Sequence, residues 1–304
     1  VTVQADKISQ TATGTAIGRA LENLRPERDR LFDDALAFDF LPRLHRAIVR
    51  LLGTPWIGAW LLAMRERQVP GIMGNLVCRT RFIDDQYRAA VAGGVGQIVI
   101  LGAGLDSRAF RLPSRPGTQV FELDHPVTQA WKRNRLEQLT LGPQLPPKLV
   151  PIDFNRQDLG TTLIEGGYQT DSRTLFIWEG VTQYIQEEAV DATLRFVATS
   201  SPPGSRLVFT YVDRALINGS RGGEKIQRLL AQLQRQGEPW VFGIHPTEVP
   251  GFLTARGLVL VEDVGAADYR HRYLEPIGRT MNLFDGERVA AAEVPEAPSL
   301  AGSS

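Results

Sequence analysis

The residues best suited to chemistry lie around one bend. An apolar run from Ile98 to Leu101 leads into Gly102-Ala103-Gly104 and then Leu105-Asp106-Ser107-Arg108. Two glycines so placed remove the side chains that would hold a ligand away from the backbone. Some way on, at the end of a second apolar run, stands Asp124. A carboxylate about 20 residues beyond such a turn can accept hydrogen bonds from both ribose hydroxyls of an adenosine ligand. A glycine turn that merely joins strand to helix is the plainer reading, and Asp124 counts against it.

Two cofactors suit this arrangement, a nicotinamide dinucleotide and S-adenosylmethionine. The dinucleotide fingerprint asks for a third small residue where this chain has Ser107, and a pyrophosphate would approach Asp106. An acidic side chain there disfavours that anion unless it is neutralised. Adenosylmethionine has no phosphate and carries a sulfonium and an ammonium, so it suits the bend better.

Further candidates follow other apolar runs. Asp153 can accept from an adenine amino group while Phe154 packs on the ring, although a helix N-cap at Asp153 or Asn155 is the stronger local reading. Glu179, directly after Trp178, can pair with the ammonium of a methionine moiety; a solvated loop glutamate is the alternative. In Arg79-Thr80-Arg81 an arginine can clamp a carboxylate through two parallel hydrogen bonds, against the plainer reading of a solvated helix face with Arg/Asp pairs. Tyr184, Tyr211 and His245 are candidates for the acceptor side, and packing or surface hydrogen bonding explains each equally well.

The elements that must position these residues are legible in the hydrophobic pattern. Residues 1–93 read as a helical cap, with helices over 13–24, 33–40, 44–68 (interrupted by Gly53 and Pro55) and 78–92. From residue 97 five short apolar runs (97–101, 118–123, 148–152, 173–178 and 206–211) alternate with helix-like segments near 125–140, 155–166 and 186–200. Strands alternating with helices predict βαβ units. With late strands at 258–264 and 278–284, the fold class is α/β, a Rossmann-like, doubly wound, mostly parallel sheet of about seven strands. A polar helical insertion lies near 213–250, and 293–304 read as frayed. The whole, 1–304, reads as one domain.

The chain has 304 residues, 34 Lys+Arg against 34 Asp+Glu, and a formal net charge of zero. That balance argues against a nucleic-acid partner. One cysteine and four scattered histidines make a disulfide or a histidine-rich metal site unexpected. The N-terminal ten residues hold no long apolar run, and the most apolar stretch, 51–64, is too short to span a bilayer. A cytoplasmic protein without a membrane partner is expected. No G-x-S-x-G elbow and no phosphate-binding loop are present.

Thr11-Ala12-Thr13, Arg79-Thr80-Arg81-Phe82-Ile83-Asp84-Asp85, Ile100 through Arg108, Val120 through Asp124, Pro151 through Phe154 and Trp178 through Tyr184 together resemble the leucine carboxyl methyltransferase family of class I S-adenosylmethionine-dependent methyltransferases, in its bacterial O-methyltransferase branch. The resemblance implies a role for each position. Arg81 would hold the carboxylate of the methionine part. Gly102, Ala103 and Gly104 would line the methionine and sulfonium, and Asp124 would bind the ribose. Asp153 and Phe154 would contact adenine, and Glu179 would sit by the methionine amino group. Gly180, Thr182 and Gln183 stand where relatives often carry larger apolar residues, which points to a different acceptor pocket.

The expected activity is methyl transfer to a carboxylate or hydroxyl of a small molecule or peptide, in natural-product biosynthesis, with S-adenosylhomocysteine as the other product. A carboxylate acceptor is ionised at neutral pH and needs no base; a phenol or alcohol would need one, from His245 or a tyrosine. The alternatives are an NAD(P)-dependent oxidoreductase and a non-catalytic adenosylmethionine-binding module that recognises a peptide.

Overall fold

The computed structural model describes residues 10–139, 146–154 and 156–296. Asn155, nine of the N-terminal ten residues, and residues 297–304 of the expected frayed tail lie outside that set.

The strands β1 (Gln97–Leu101), β2 (Gln119–Asp124), β3 (Lys148–Pro151), β4 (Thr174–Trp178), β5 (Arg206–Val212), β6 (Val259–Val264) and β7 (Glu287–Glu293) form one sheet in the order β3-β2-β1-β4-β5-β7-β6. The first five pair in parallel, and β7 runs antiparallel between β5 and β6. β1 and β4 are buried throughout and apolar after their first residues, Gln97 and Thr174, because helices cover both faces of the sheet.

The period-two alternation of strand side chains sorts them between two cores. Val99, Leu101, Phe121, Leu123, Phe176 and Phe209 face one layer. That layer comprises helices at Leu159–Glu165, Glu187–Thr199 and Val249–Thr254. Ile98, Ile100, Val120, Ile177 and Val208 face the other, built on the long helix Ile72–Ala92.

Four helices precede that long one: α1 (Gln10–Asn23), α2 (Ala35–Phe40), α3 (Arg43–Leu52) and α4 (Ile57–Gln68), and the long helix is α5 (Ile72–Ala92). The helical stretch over 44–68, expected to be interrupted at Gly53 and Pro55, is two helices that break there. The turn between them, with Pro55 and Gly53, is so tight that a Cβ on Gly58 would fall within 1.9 Å of the Leu52 carbonyl oxygen. Ala16, Ala20, Ala37, Phe40 and Val49 bind α1, α2 and α3 into a third core that reaches Leu105 beside the glycine bend.

Two expectations near the C-terminus are corrected. Residues 278–284 are not a strand; after Gly278 the chain runs as an extended loop across the start of α5, where Phe284 N–H donates to the Gly71 carbonyl (3.1 Å). The last strand is instead β7, whose central Ala290-Ala291-Ala292 carries little β signal and is chosen by its two neighbouring strands. Glu293, read as the start of a frayed tail, closes this strand.

Candidate functional site

The carboxyl ends of β1, β2, β3 and β4 open onto a cavity of about 540 Å³. It lies where the strand order reverses, between β1 and β4, the place where open α/β sheets bind ligands. Gly102, Ala103, Gly104, Asp124, Asp153, Phe154, Glu179 and Tyr184 all line it.

The bend after β1 is glycine for two reasons. Gly102 and Gly104 have φ of +66° and +50°, a region that L side chains rarely enter. A Cβ on Gly102 would also lie 2.4 Å from Val181 Cγ2, and one on Gly104 would lie 3.2 Å from the Ala12 side chain of α1. Asp124, the last residue of β2, is braced against this bend. The Gly104 N–H donates to its Oδ2 (2.5 Å) and the His125 N–H to its Oδ1 (2.6 Å). Burial raises its pKa against the pull of those amides. Asp153 and Phe154 follow β3 at the same rim. The helix N-cap nearby is Asp158, which accepts from Thr161 N–H (2.8 Å), so Asp153 does not serve as that cap.

The opposite end of the cavity is ionic. Glu179 accepts from Arg79 Nε (2.9 Å) and from Arg108 Nη1 (2.7 Å). Arg79 also donates Nη1 to both oxygens of Glu287 (2.5 and 2.6 Å). Arg108 donates Nε to Asp84 (2.8 Å) and Nη1 to Asp106 (2.5 Å). Burial pushes Glu179 up, but Arg108 and Arg79 outweigh it and hold its carboxyl below the usual value. Burial likewise opposes the charge on both arginines, and their carboxylate partners more than restore it. Arg108 is 1% exposed, yet its Nη2 has no hydrogen-bond partner.

Three of the expected site residues do not reach the cavity. Arg81 sits on the other side of α5, where it donates to Asp85 (3.0 Å) and to the Leu31 carbonyl (2.7 Å) and lies over the Tyr273 ring. On a helix, positions two apart point about 200° from each other, so Arg79 turns inward and Arg81 outward. Tyr211, within β5, is buried in the core on one face of the sheet and donates to Asp263 (2.9 Å). His245 is exposed and pairs with Thr247 (2.8 Å). Thr182 and Gln183 also lie away from the cavity: Thr182 is buried and donates to the Thr210 carbonyl (2.6 Å), and Gln183 is buried beside it. Of the three departures in this motif only Gly180 lines the cavity.

The cavity also gains residues that the motifs did not single out for it. Arg108 ends the glycine motif but enters a helix of four residues (Arg108–Arg111), a place where spacing says nothing of direction. Thr11 and Thr15 of α1 and Glu238, which follows the helix Gly223–Arg235, cover the mouth. Glu238 accepts from the Gln10 N–H (3.1 Å), the Thr11 N–H (3.2 Å) and the Thr11 hydroxyl (2.5 Å), and the Thr11 hydroxyl lies 3.1 Å from that of Tyr184. Pairing across more than two hundred residues of sequence leaves no local signal. Among the described residues, no group of three His, Cys, Asp or Glu side chains could hold a metal ion.

Sheet order, the glycine bend and a carboxylate at the tip of β2 define a Rossmann-like fold with a cavity at its switch point. Residues 12–198 match the leucine carboxyl methyltransferase family. A Parafrankia protein provisionally described as an S-adenosyl-L-methionine-dependent methyltransferase is 38% identical over 200 residues, which cover 66% of this chain and 62% of that protein. The match thus spans just under two thirds of that relative. A Mycolicibacterium smegmatis protein of the same description is 35% identical over 240 residues, 75% of this chain and 76% of its own. In fold, the chain is similar to a crystal structure described as a methyltransferase, again provisionally, from Thermobifida fusca (TM-score 0.54, 16% identity, covering 96% of this chain and 97% of that one). The chain belongs to the leucine carboxyl methyltransferase family and is an S-adenosylmethionine-dependent methyltransferase.

Proposed function

We propose that this protein methylates an oxygen, with a carboxylate favoured over a hydroxyl, on a small molecule or peptide, in the cytoplasm and in natural-product biosynthesis. When bound, adenosylmethionine supplies an electrophilic methyl group on sulfur. The residues of this chain fit it from both ends. Asp124 offers acceptors to the ribose hydroxyls, and Asp153 and Phe154 stand at the adenine end. The Glu179 carboxylate suits an ammonium, while the guanidinium groups of Arg79 and Arg108, both of which line the cavity, suit a carboxylate. Arg79 takes the role first expected of Arg81.

The observation that supports an oxygen acceptor is the state of the acceptor side. Of Tyr184, Tyr211 and His245 only Tyr184 lines the cavity, and burial raises its pKa, so its phenol stays protonated at neutral pH. An acceptor that brings its own nucleophile needs none of these three as a base. A carboxylate is ionised at pH 7, whereas an alkylamine is protonated and has no free lone pair. The chain then supplies proximity and alignment, worth about 7–11 kcal/mol in well-oriented systems.

The oxidoreductase reading loses its support at the bend. Ser107 is buried, accepts from Arg19 (3.0 Å) and donates to Asp34 (2.7 Å), and the helix that follows has only four residues. A pyrophosphate would find little helix dipole there. The test is transfer from methyl-labelled adenosylmethionine to panels of carboxylates, phenols and amines. Label in base-labile ester is the expected result. Label confined to amines, or no transfer to any acceptor while adenosylhomocysteine still binds, overturns the proposal.

A further inference from the structure

The stretch 51–64, too short to span a bilayer, forms part of a surface that the cofactor site does not use. α3 and α4 make a tight hairpin, with Gly58 packed against Leu52. α3 turns Val49 into the core and leaves Leu44, Ile48 and Leu51 exposed, an i, i+4, i+7 stripe. From the turn into α4, Trp56, Trp60 and Met64 repeat every four residues, with Ile57 beside them. Leu44 is 69% exposed, Trp56 88% and Trp60 61%. Leu24, exposed at the end of α1, abuts the turn at Gly53. Scattered exposed apolar residues are ordinary; two tryptophans and several aliphatics gathered on one hairpin mark an interaction surface.

The charge on this hairpin says what covers it. Residues 43–68 contain Arg43, Arg46, Arg50, Arg65 and Arg67 against a single acid, Glu66, in a chain that is neutral overall. Arg43 and Arg50 are exposed and Arg46 half-buried; burial, then like-charge repulsion from Arg46 and Arg43, lowers the pKa of nearby Arg135. Glu66 is occupied inward, accepting from the Gly71 N–H (2.8 Å) and from Asn282 (2.9 Å). A second copy meeting the same face would set these arginines against their own counterparts. An anionic bilayer surface is complementary in both respects: acidic headgroups for arginine, and an interfacial layer where tryptophan is favoured.

We propose that the α3–α4 hairpin docks this protein on the surface of an anionic lipid bilayer, with Trp56 and Trp60 in the interface and Arg43, Arg46 and Arg50 against the headgroups. This departs from the expectation of no membrane partner and concerns adsorption only; among the described residues no helix is long and apolar enough to cross a membrane. The hairpin belongs to the layer that includes α1, which covers the cavity mouth, so docking would hold that layer at the lipid boundary.

The test is cosedimentation of the full chain with vesicles of phosphatidylcholine alone and of phosphatidylcholine with phosphatidylglycerol, with tryptophan emission recorded. Expected are binding to the anionic vesicles, a blue shift, and weakening as salt rises. Arg43→Gln/Arg46→Gln/Arg50→Gln should weaken partitioning roughly a hundredfold, about fivefold for each arginine at an anionic surface. Trp56→Ser/Trp60→Ser should abolish the blue shift. Each variant is first checked for native circular dichroism and unchanged adenosylhomocysteine affinity; if the tryptophan variant does not fold, the arginine variant and the salt titration of the natural chain decide. No binding to anionic vesicles, binding that the arginine variant leaves intact, or a vesicle-free dimer that the tryptophan variant dissolves would each overturn the proposal.

Discussion

Arg79 and Arg81 stand two positions apart on α5, and only Arg79 enters the cavity. It is 7% exposed and tied to Glu179 and Glu287, while Arg81 faces out toward Asp85. Replacing Arg79 by alanine would strand buried carboxylates at a cost of about 3–5 kcal/mol in stability, so lysine is the cleaner probe. Arg79→Lys should keep the fold and raise the Kd for adenosylhomocysteine about tenfold, through loss of the planar two-point donor. Arg81→Ala should leave it within about twofold, since surface pairs contribute little. Calorimetric titration of both variants distinguishes the two arginines; equal effects would contradict the assignment.

Asp124 both braces the bend and faces the cavity. Asp124→Ala should weaken cofactor binding by about 1–3 kcal/mol through unpaired ribose hydroxyls. Binding of 2′-deoxyadenosine analogues should then lose less than binding of the parent nucleoside, a comparison that a purely structural role would not alter.

Gly102→Ala should destabilise the fold by about 1–2 kcal/mol from the left-handed backbone alone, and further from its collision with Val181. Val181→Ala in the same chain should recover the second part and not the first. Denaturant unfolding of the single and double variants reads this directly.

Glu122 is fully buried against Lys132 (2.5 Å), and burial pushes its pKa up to about 7 from 4.5. Lys132 opposes that shift without cancelling it. Between these values the folded state holds a proton that the unfolded state has released. This group's contribution therefore favours folding at about pH 4.5 and fades as pH rises to about 7. Glu122→Gln should remove a fall in stability of order 3 kcal/mol across that window, about 1.4 kcal/mol per pKa unit. Carboxyls held low, such as Glu179, act in the opposite sense at lower pH. A wild-type-minus-variant difference that is flat from pH 4.5 to 7 would contradict this.

Tyr184→Phe tests whether a base is used. Because burial keeps the phenol protonated, kcat on a carboxylate acceptor should change by less than about threefold, whereas loss of a general base costs about 10²–10⁴.

The parallel half of the sheet was legible because β1 and β4, after their first residues, are apolar runs bounded by turn residues, and continuous burial demands such runs. The bend, Asp124, Asp153, Phe154 and Glu179 were legible because each follows a strand directly, so position in sequence is position at the rim. β7 was not, since three alanines have no strand preference of their own and are buried by β5 and β6 on either side. Tyr211 and His245 were misplaced for a related reason: residue type suggests chemistry, but the direction of a side chain depends on what packs against it.

Sequence alone therefore determined the order of the parallel strands and the glycine bend at the rim of the cavity, because those follow from local backbone stereochemistry and hydrophobic period. The tertiary structure decided which arginine faces the cavity, that Glu238 and α1 meet beside it, and that the α3–α4 tryptophans are left outside. Those outcomes depend on contacts between residues far apart in the chain, and such contacts are formed only when the layers pack.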